Sequence, residues 1–168
     1  MTVLPPRALR RLLVASLFAA GSLQAQADRA ASPSDGAEVT RVAATLRALF
    51  TASERSDLAA LDSLYAGDSL TIFEGTGVNR GWTDYRDHHL GPELKEMKNL
   101  QYRPSELEVH VAGSMAWVLF RYTLKADVNG RAADLVGLGT AILERRGAAW
   151  VVRHMQTSGR ARRATDPA

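Results

Sequence analysis

The stretch WVVRHMQTS, Trp150–Ser158, closes the patterned part of the chain, and its reading decides how the sheet is built. At a strand's period of two, one face carries Trp150, Val152, His154, Gln156 and Ser158, and the other carries Val151, Arg153, Met155 and Thr157. Two apolar residues followed by imidazole, amide and hydroxyl have two explanations. The strand runs out of the core into water, or it lines a cavity whose far end is polar. The cavity reading predicts that His154 and Gln156 look into an enclosed space.

The segments before it read as further long strands. SELEVHVAG alternates Leu107, Val109 and Val111 with Glu106, Glu108 and His110. SMAWVLFRYTLKADVNGR is a long strand running into an Asn-Gly hairpin turn, and AADLVGLGTAILERRGAAW returns from it. In the first of these, Ala116, Val118, Phe120 and Tyr122 share one face, while Met115, Trp117 and Leu119 share the other. A strand apolar on both sides has its second face covered too. Either another copy of the chain meets it or bending of the sheet buries it internally; a homodimer through that face is the favoured cover, since exposed Trp and Leu patches mark contacts.

Helical periodicity dominates the first half. Val39, Val42, Ala43, Leu46, Leu49 and Phe50 recur at three- and four-residue spacing from Gly36, with Asp35 and Glu38 placed as a capping box. A second short helix carries Leu58, Leu61, Leu64 and Tyr65. SLTIFEG reads as a short strand with Leu70, Ile72 and Glu74 on one face, and GTGVNRG as a turn-rich link. Trp82, Tyr85 and His89 then mark a third helix, which Gly91-Pro92 breaks or restarts. Helices followed by a meander of strands define an α+β fold, N-terminal helices packed on one face of an antiparallel sheet.

Residues 1–27 read as a secretory signal peptide: Arg7, Arg10 and Arg11 precede LLVASLFAAGSL, and AQA supplies a small-residue cleavage site. Residues 28–35 read as a flexible leader, 36–158 as one domain and 159–168 as a disordered tail. Cleavage would remove three of 21 basic residues and none of 18 acidic ones, leaving the expected mature chain of 141 residues neutral. Nucleic-acid binding needs clustered positive charge, and none remains. No membrane association is expected after cleavage, and the location is periplasmic or secreted. With no cysteine, disulfides and thiolate chemistry are excluded.

Three helices, a short strand, the Gly81-Trp82 junction, a long meander and an ending of the form W-x-V-x-H-x-Q-x-S together resemble the nuclear transport factor two-like superfamily, which includes the SnoaL-like and ketosteroid isomerase-like proteins. The resemblance covers Glu38 to Ser158. It implies a cone, in which a strongly bent antiparallel sheet wraps the helices and leaves a pocket open at one end. Many SnoaL-like members end in Trp-x-Ile/Val-x-His-x-His-x-Ser with the alternating face directed inward. Trp150, Val152, His154 and Ser158 match, and Gln156 stands where the second histidine would be.

The resemblance implies a small, largely apolar ligand in a pocket lined by Phe73, Trp82, Tyr85, Tyr122 and Val152, with His154, Gln156, Glu74 and His89 at the polar end. Adjacent helical residues diverge by roughly 100°, so His88 and His89 cannot face one point. Arg121, alone among apolar neighbours, is placed to meet a ligand carboxylate, balance Glu74 or reach solvent. His154 and Glu74 are the candidate catalytic groups, His154 because imidazole titrates near neutrality. A core histidine satisfied by a neighbour, and a solvated strand-end glutamate, are the competing readings. Two imidazoles and a carboxylate at Glu74, His89 and His154 would suit zinc or iron, but no H-x-x-x-H pair supports that set, and neither metal nor cofactor is expected. Simple binding of a small molecule, and cofactor-independent proton transfer of an isomerase, cyclase, dehydratase or hydrolase type, both remain open. The superfold hosts all of these.

Overall fold

The computed structural model describes residues 33–166. The expected signal peptide and residues 28–32 lie outside the described residues. Helix α1 spans Pro33–Glu54, so it starts three residues before Gly36. Asp35 therefore lies inside the helix and is not its cap. Proline suits a first helical turn because the missing N–H has no intrahelical partner there. Glu38 has other work: Oε1 pairs with Arg41 at 2.9 Å, and Oε2 accepts a 2.7 Å bond from Trp150 Nε1.

Helix α2 (Leu58–Leu64) is capped by Asp57, whose carboxylate accepts from the Ala60 N–H. Strands β1 (Thr71–Glu74) and β2 (Gly77–Arg80) form a hairpin where a link was expected. Helical backbone then runs from α3 (Trp82–Tyr85) through a wide turn at Arg86–Leu90 into α4 (Gly91–Glu96). The long strands are β3 (Met97–Ala112), β4 (Met115–Val128), β5 (Arg131–Arg146) and β6 (Ala149–Ala161). β3 begins eight residues before the expected start at Ser105, and β6 runs three past the expected end. The tail is held as well: Asp166 takes two bonds from Arg160 and one from the Arg163 N–H. The strand order is β2-β1-β6-β5-β4-β3, antiparallel except for the parallel β1–β6 pair. Among the described residues no helix is long and apolar enough to cross a membrane.

Irregularities bend the sheet. Register shifts between Lys98 and Gln101 and between Ser105 and Glu108 interrupt β3, where Asn99 and Glu106 take φ of 53° and 50°. An extra residue bends its strand and increases local twist. Gly137 and Gly139 allow close packing on the concave side: a Cβ at either would run into the Tyr122 or Phe120 ring. The helices fill that side. Val42, Leu46, Leu49 and Phe50 of α1 are buried there, with Phe50 against Tyr102 at 4.3 Å and edge-on to Phe120 at 5.5 Å.

The third irregularity overturns the reading of WVVRHMQTS. Leu143 pairs with Val152 but Ile142 pairs with His154, so Arg153 is an extra residue that opposes nothing. Arg153 points outward to Glu144, and the alternation changes phase after it. Trp150, Val152, Met155 and Thr157 face the core, whereas His154 is half-buried on the outer side and Gln156 and Ser158 are exposed there.

Candidate functional site

The inward face of β1 continues Leu70 and Ile72, both buried, to Glu74 at the strand end. Glu74 pairs in register with Thr157 on β6, and its carboxylate also meets that side chain. The helical run carries Tyr85, His89 and Glu93 to the same place. The wide turn explains how. Pro92 has no N–H to give, and the Gly91 N–H bonds back to Arg86 O, five residues away, a π-type spacing. A Cβ on Gly91 would lie 2.5 Å from that carbonyl, so glycine is required for the turn as built.

With that phase, His89 points in and His88 points out, 75 % exposed and 3.4 Å from Asp84. His89 Nε2 lies 3.0 Å from Glu74 Oε2 and 3.2 Å from Glu93 Oε1. Its Nδ1 is 2.7 Å from Asn79 Oδ1 on β2. The Asn79 amide orientation follows from Asp84, whose Oδ2 accepts from Asn79 Nδ2 at 2.9 Å and from the Arg80 N–H at 3.2 Å. These donors hold the Asp84 carboxyl below its ordinary range. With the amide nitrogen turned to Asp84, Oδ1 can only accept, so Nδ1 of His89 carries a proton. On the other flank the Tyr85 hydroxyl donates to Glu74 Oε1 at 3.3 Å.

Burial pushes the Glu74 carboxyl up; the Glu93 charge adds to this, and His89, Tyr85 and Thr157 oppose it. Tyr85 bonds the group, and three more tyrosines lie within reach of its charge. Burial raises Tyr65, Tyr85, Tyr102 and Tyr122, and the Glu74 charge raises each further, so the phenols remain donors at neutral pH. Tyr65 stacks on Trp82 at 4.9 Å, and Tyr102 meets Tyr122 edge-on at 5.4 Å. The site retains contact with solvent: the side chains of His89 and Glu74 are 24 % and 27 % exposed. One carboxylate drawn out of water, an oriented imidazole and protonated phenols can together bind an oxygen-bearing group and accept or return a proton.

The expected residues divide between two faces. Glu74, Tyr85 and His89 come together, with Trp82, Tyr122 and Val152 behind them as buried members of the core. Trp82 Nε1 is committed to Asp62 at 2.7 Å. Phe73, His154, Gln156 and Arg121 lie on the outer side. His154 Nδ1 donates to Thr71 O at 2.9 Å and its ring meets Phe73 edge-on at 5.0 Å. Arg121 pairs with Glu106 at 2.8 Å, not with Glu74. His154 thus cannot join Glu74 and His89 around one ion, because the extra residue at Arg153 turns it away. Glu93, Asn79 and Thr157 were not foreseen. Glu93 had a signal, since it lies four residues after His89 on a helix.

The outer side carries Met115, Trp117, Leu119 and Leu138, all exposed, and His110 stacks on Trp117 at 4.9 Å. A groove of about 570 Å³ opens there beside Arg121, Leu138, Ser158 and Arg160.

The cone with helices on its concave side and a polar mouth is the architecture of a known family. The model of the SnoaL-like domain matches residues 42–161, and the chain belongs to that family. Solved structures agree on the fold. A nuclear transport factor 2-like superfamily protein from Salmonella enterica serovar Typhimurium superposes with a TM-score of 0.70 at 15% identity, over 77% of this chain and 96% of its own. A candidate dehydratase of the same family from Streptomyces avermitilis gives 0.68 at 17%, over 76% and 99%. A candidate ketosteroid isomerase from Shewanella frigidimarina gives 0.62 at 22%, over 68% and 92%. No curated protein matches the sequence.

Proposed function

We propose that the protein is an exported, periplasmic or secreted, small-molecule-binding domain whose ligand sits at the mouth of the cone. The ligand's polar end meets Glu74, His89 and Tyr85. The observation that carries this is Glu74 itself: a carboxylate at the end of an apolar strand face, pushed up by burial and still reachable from solvent. The partly buried Tyr102, packed against the core and within reach of the Glu74 charge, offers apolar contact for the rest of a small ligand. The sequence pattern of residues 1–27 supports export.

A second reading is favoured by the phenols that remain protonated beside that carboxylate. In it, Glu74 accepts a proton from carbon next to a ligand carbonyl and returns it at another position, while Tyr85 donates to the developing oxyanion. The exposed Met115, Trp117, Leu119 and Leu138 support a homodimer through the outer side of the sheet.

Amide NMR of the labelled protein, titrated with small ketones and phenols, tests the reading. Saturable shifts at Tyr85, His89 and Thr157, weakened about tenfold by Glu74→Gln as the loss of a charge-assisted contact implies, are expected. Shifts confined to the outer groove, or none, would refute it.

A further inference from the structure

The geometry points to a divalent-cation site at the cone mouth, formed by Glu74 Oε2, His89 Nε2 and Glu93 Oε1. It deepens the reading above, because it concerns the same mouth and supplies the centre to which a ligand oxygen would attach. The three ligand atoms lie within 4.8 Å of one another. First-row ions sit about 2.1 Å from nitrogen and oxygen ligands, which separates neighbouring ligand atoms by about 3.0 Å at right angles and about 3.4 Å at tetrahedral angles. The two contacts of Nε2, at 3.0 and 3.2 Å, fall in that interval.

Distances of this size also fit hydrogen bonds, so the surroundings decide. A single ring proton on Nε2 can only be shared between the two carboxylate oxygens, as a weaker three-centre bond. A dication in front of the ring serves both.

The outer contacts have the form that a metal-binding histidine needs. Asn79 accepts the Nδ1 proton, which leaves Nε2 as the ligating nitrogen of the neutral ring, and Asp84 holds Asn79 in that orientation. Glu74 is oriented similarly: Tyr85 binds its Oε1, leaving Oε2 turned towards His89. These partners come from β2 and α3, outside the three ligands themselves. An imidazole and two carboxylates suit zinc or manganese, and the partial exposure of all three side chains leaves room for water or a ligand oxygen on the ion.

The test uses the purified full chain, dialysed against a chelator and then titrated separately with zinc, manganese and cobalt chloride. Bound metal is counted by equilibrium dialysis with elemental analysis, and cobalt is followed by its visible absorption. One ion per chain is expected. Glu93→Gln, at a side chain 44 % exposed and so harmless to folding, should weaken binding at least about tenfold, and Asn79→Ala by about 10–100-fold. His154→Ala and His110→Ala should leave it unchanged. Absence of saturable binding in the unaltered protein, or affinity retained in Glu93→Gln, would overturn the inference. If metal binding fails while the ketone and phenol shifts at the mouth persist, only the cation site falls. If metal binds and no organic compound does, the small-molecule reading falls and the cation site stands.

Discussion

Truncating Met155 and, separately, its neighbours His154 and Gln156 discriminates between the two possible faces of β6. Met155 is 2 % exposed and belongs to the core beside Ile72, its register partner. Met→Ala at such a site removes transfer free energy and leaves a cavity, together about 2–5 kcal/mol. His154→Ala removes one hydrogen bond to Thr71 O and an edge contact with Phe73, about 1 kcal/mol. Gln156 is exposed, and Gln156→Ala should fall within about 0.5 kcal/mol of the unaltered protein. Urea unfolding followed by circular dichroism measures this. With a slope of about 2 kcal/mol per molar, a 3 kcal/mol loss moves the midpoint down by about 1.5 M. The melting temperature of Met155→Ala should drop by about 10 °C, at roughly 3–4 °C per kcal/mol for a domain of this size. If Gln156→Ala and His154→Ala proved severely destabilising and Met155→Ala neutral, Arg153 would not be an extra residue and the inward set would be wrong.

Three other expectations follow from separate parts of the molecule. Gly91→Ala forces a methyl against the Arg86 carbonyl, so it should destabilise by about 1–3 kcal/mol and displace His89, seen as loss of its ring-proton bond to Asn79 by NMR. Leu138→Glu, at a side chain 55 % exposed on the outer side, should yield monomers by light scattering without lowering stability; an unchanged mass would remove this face as the dimer contact. Asp166 is held well below its ordinary range, first by Arg160 and then by the Arg163 N–H. A depressed carboxylate gives its full contribution above the unfolded value near 3.8 and loses it as pH falls through the folded one. The Arg163 amide shift should therefore hold through pH 3.8 and change only in stronger acid. Arg160→Ala should move that change up towards the ordinary aspartate range, with the Arg163 N–H still holding it below.

The helical face of α1 was legible because Val42, Leu46, Leu49 and Phe50 recur on one stripe and nothing interrupts it. The alternation of β4 was equally plain, and the second apolar face that it predicts is exposed in the single chain, so bending of the sheet does not bury it. β6 was misread because a period of two assumes one residue opposite each partner. The clue was present: the inward apolar residues fall at 150, 152 and 155, a step of two and then three. The family-like ending W-x-V-x-H reinforced the wrong phase. Asn79 was hidden because its segment reads as turns; only pairing with β1 makes it a strand that faces His89. The choice between His88 and His89 depends on the wide turn at Arg86–Leu90, and its signal, Gly91-Pro92, marks a break or restart without fixing the phase of the turn before it.

In the proposed function, ligands meet this protein at Glu74, His89 and Tyr85 rather than at the histidine near its end. A crystal structure of the protein soaked with the tightest ketone or phenol from the NMR titration tests it directly. The compound's oxygen is expected within hydrogen-bonding distance of Glu74, Tyr85 or His89, with His154 untouched and still bonded to Thr71. A compound bound instead beside Arg121 and Leu138 on the outer side, or against His154, would contradict it.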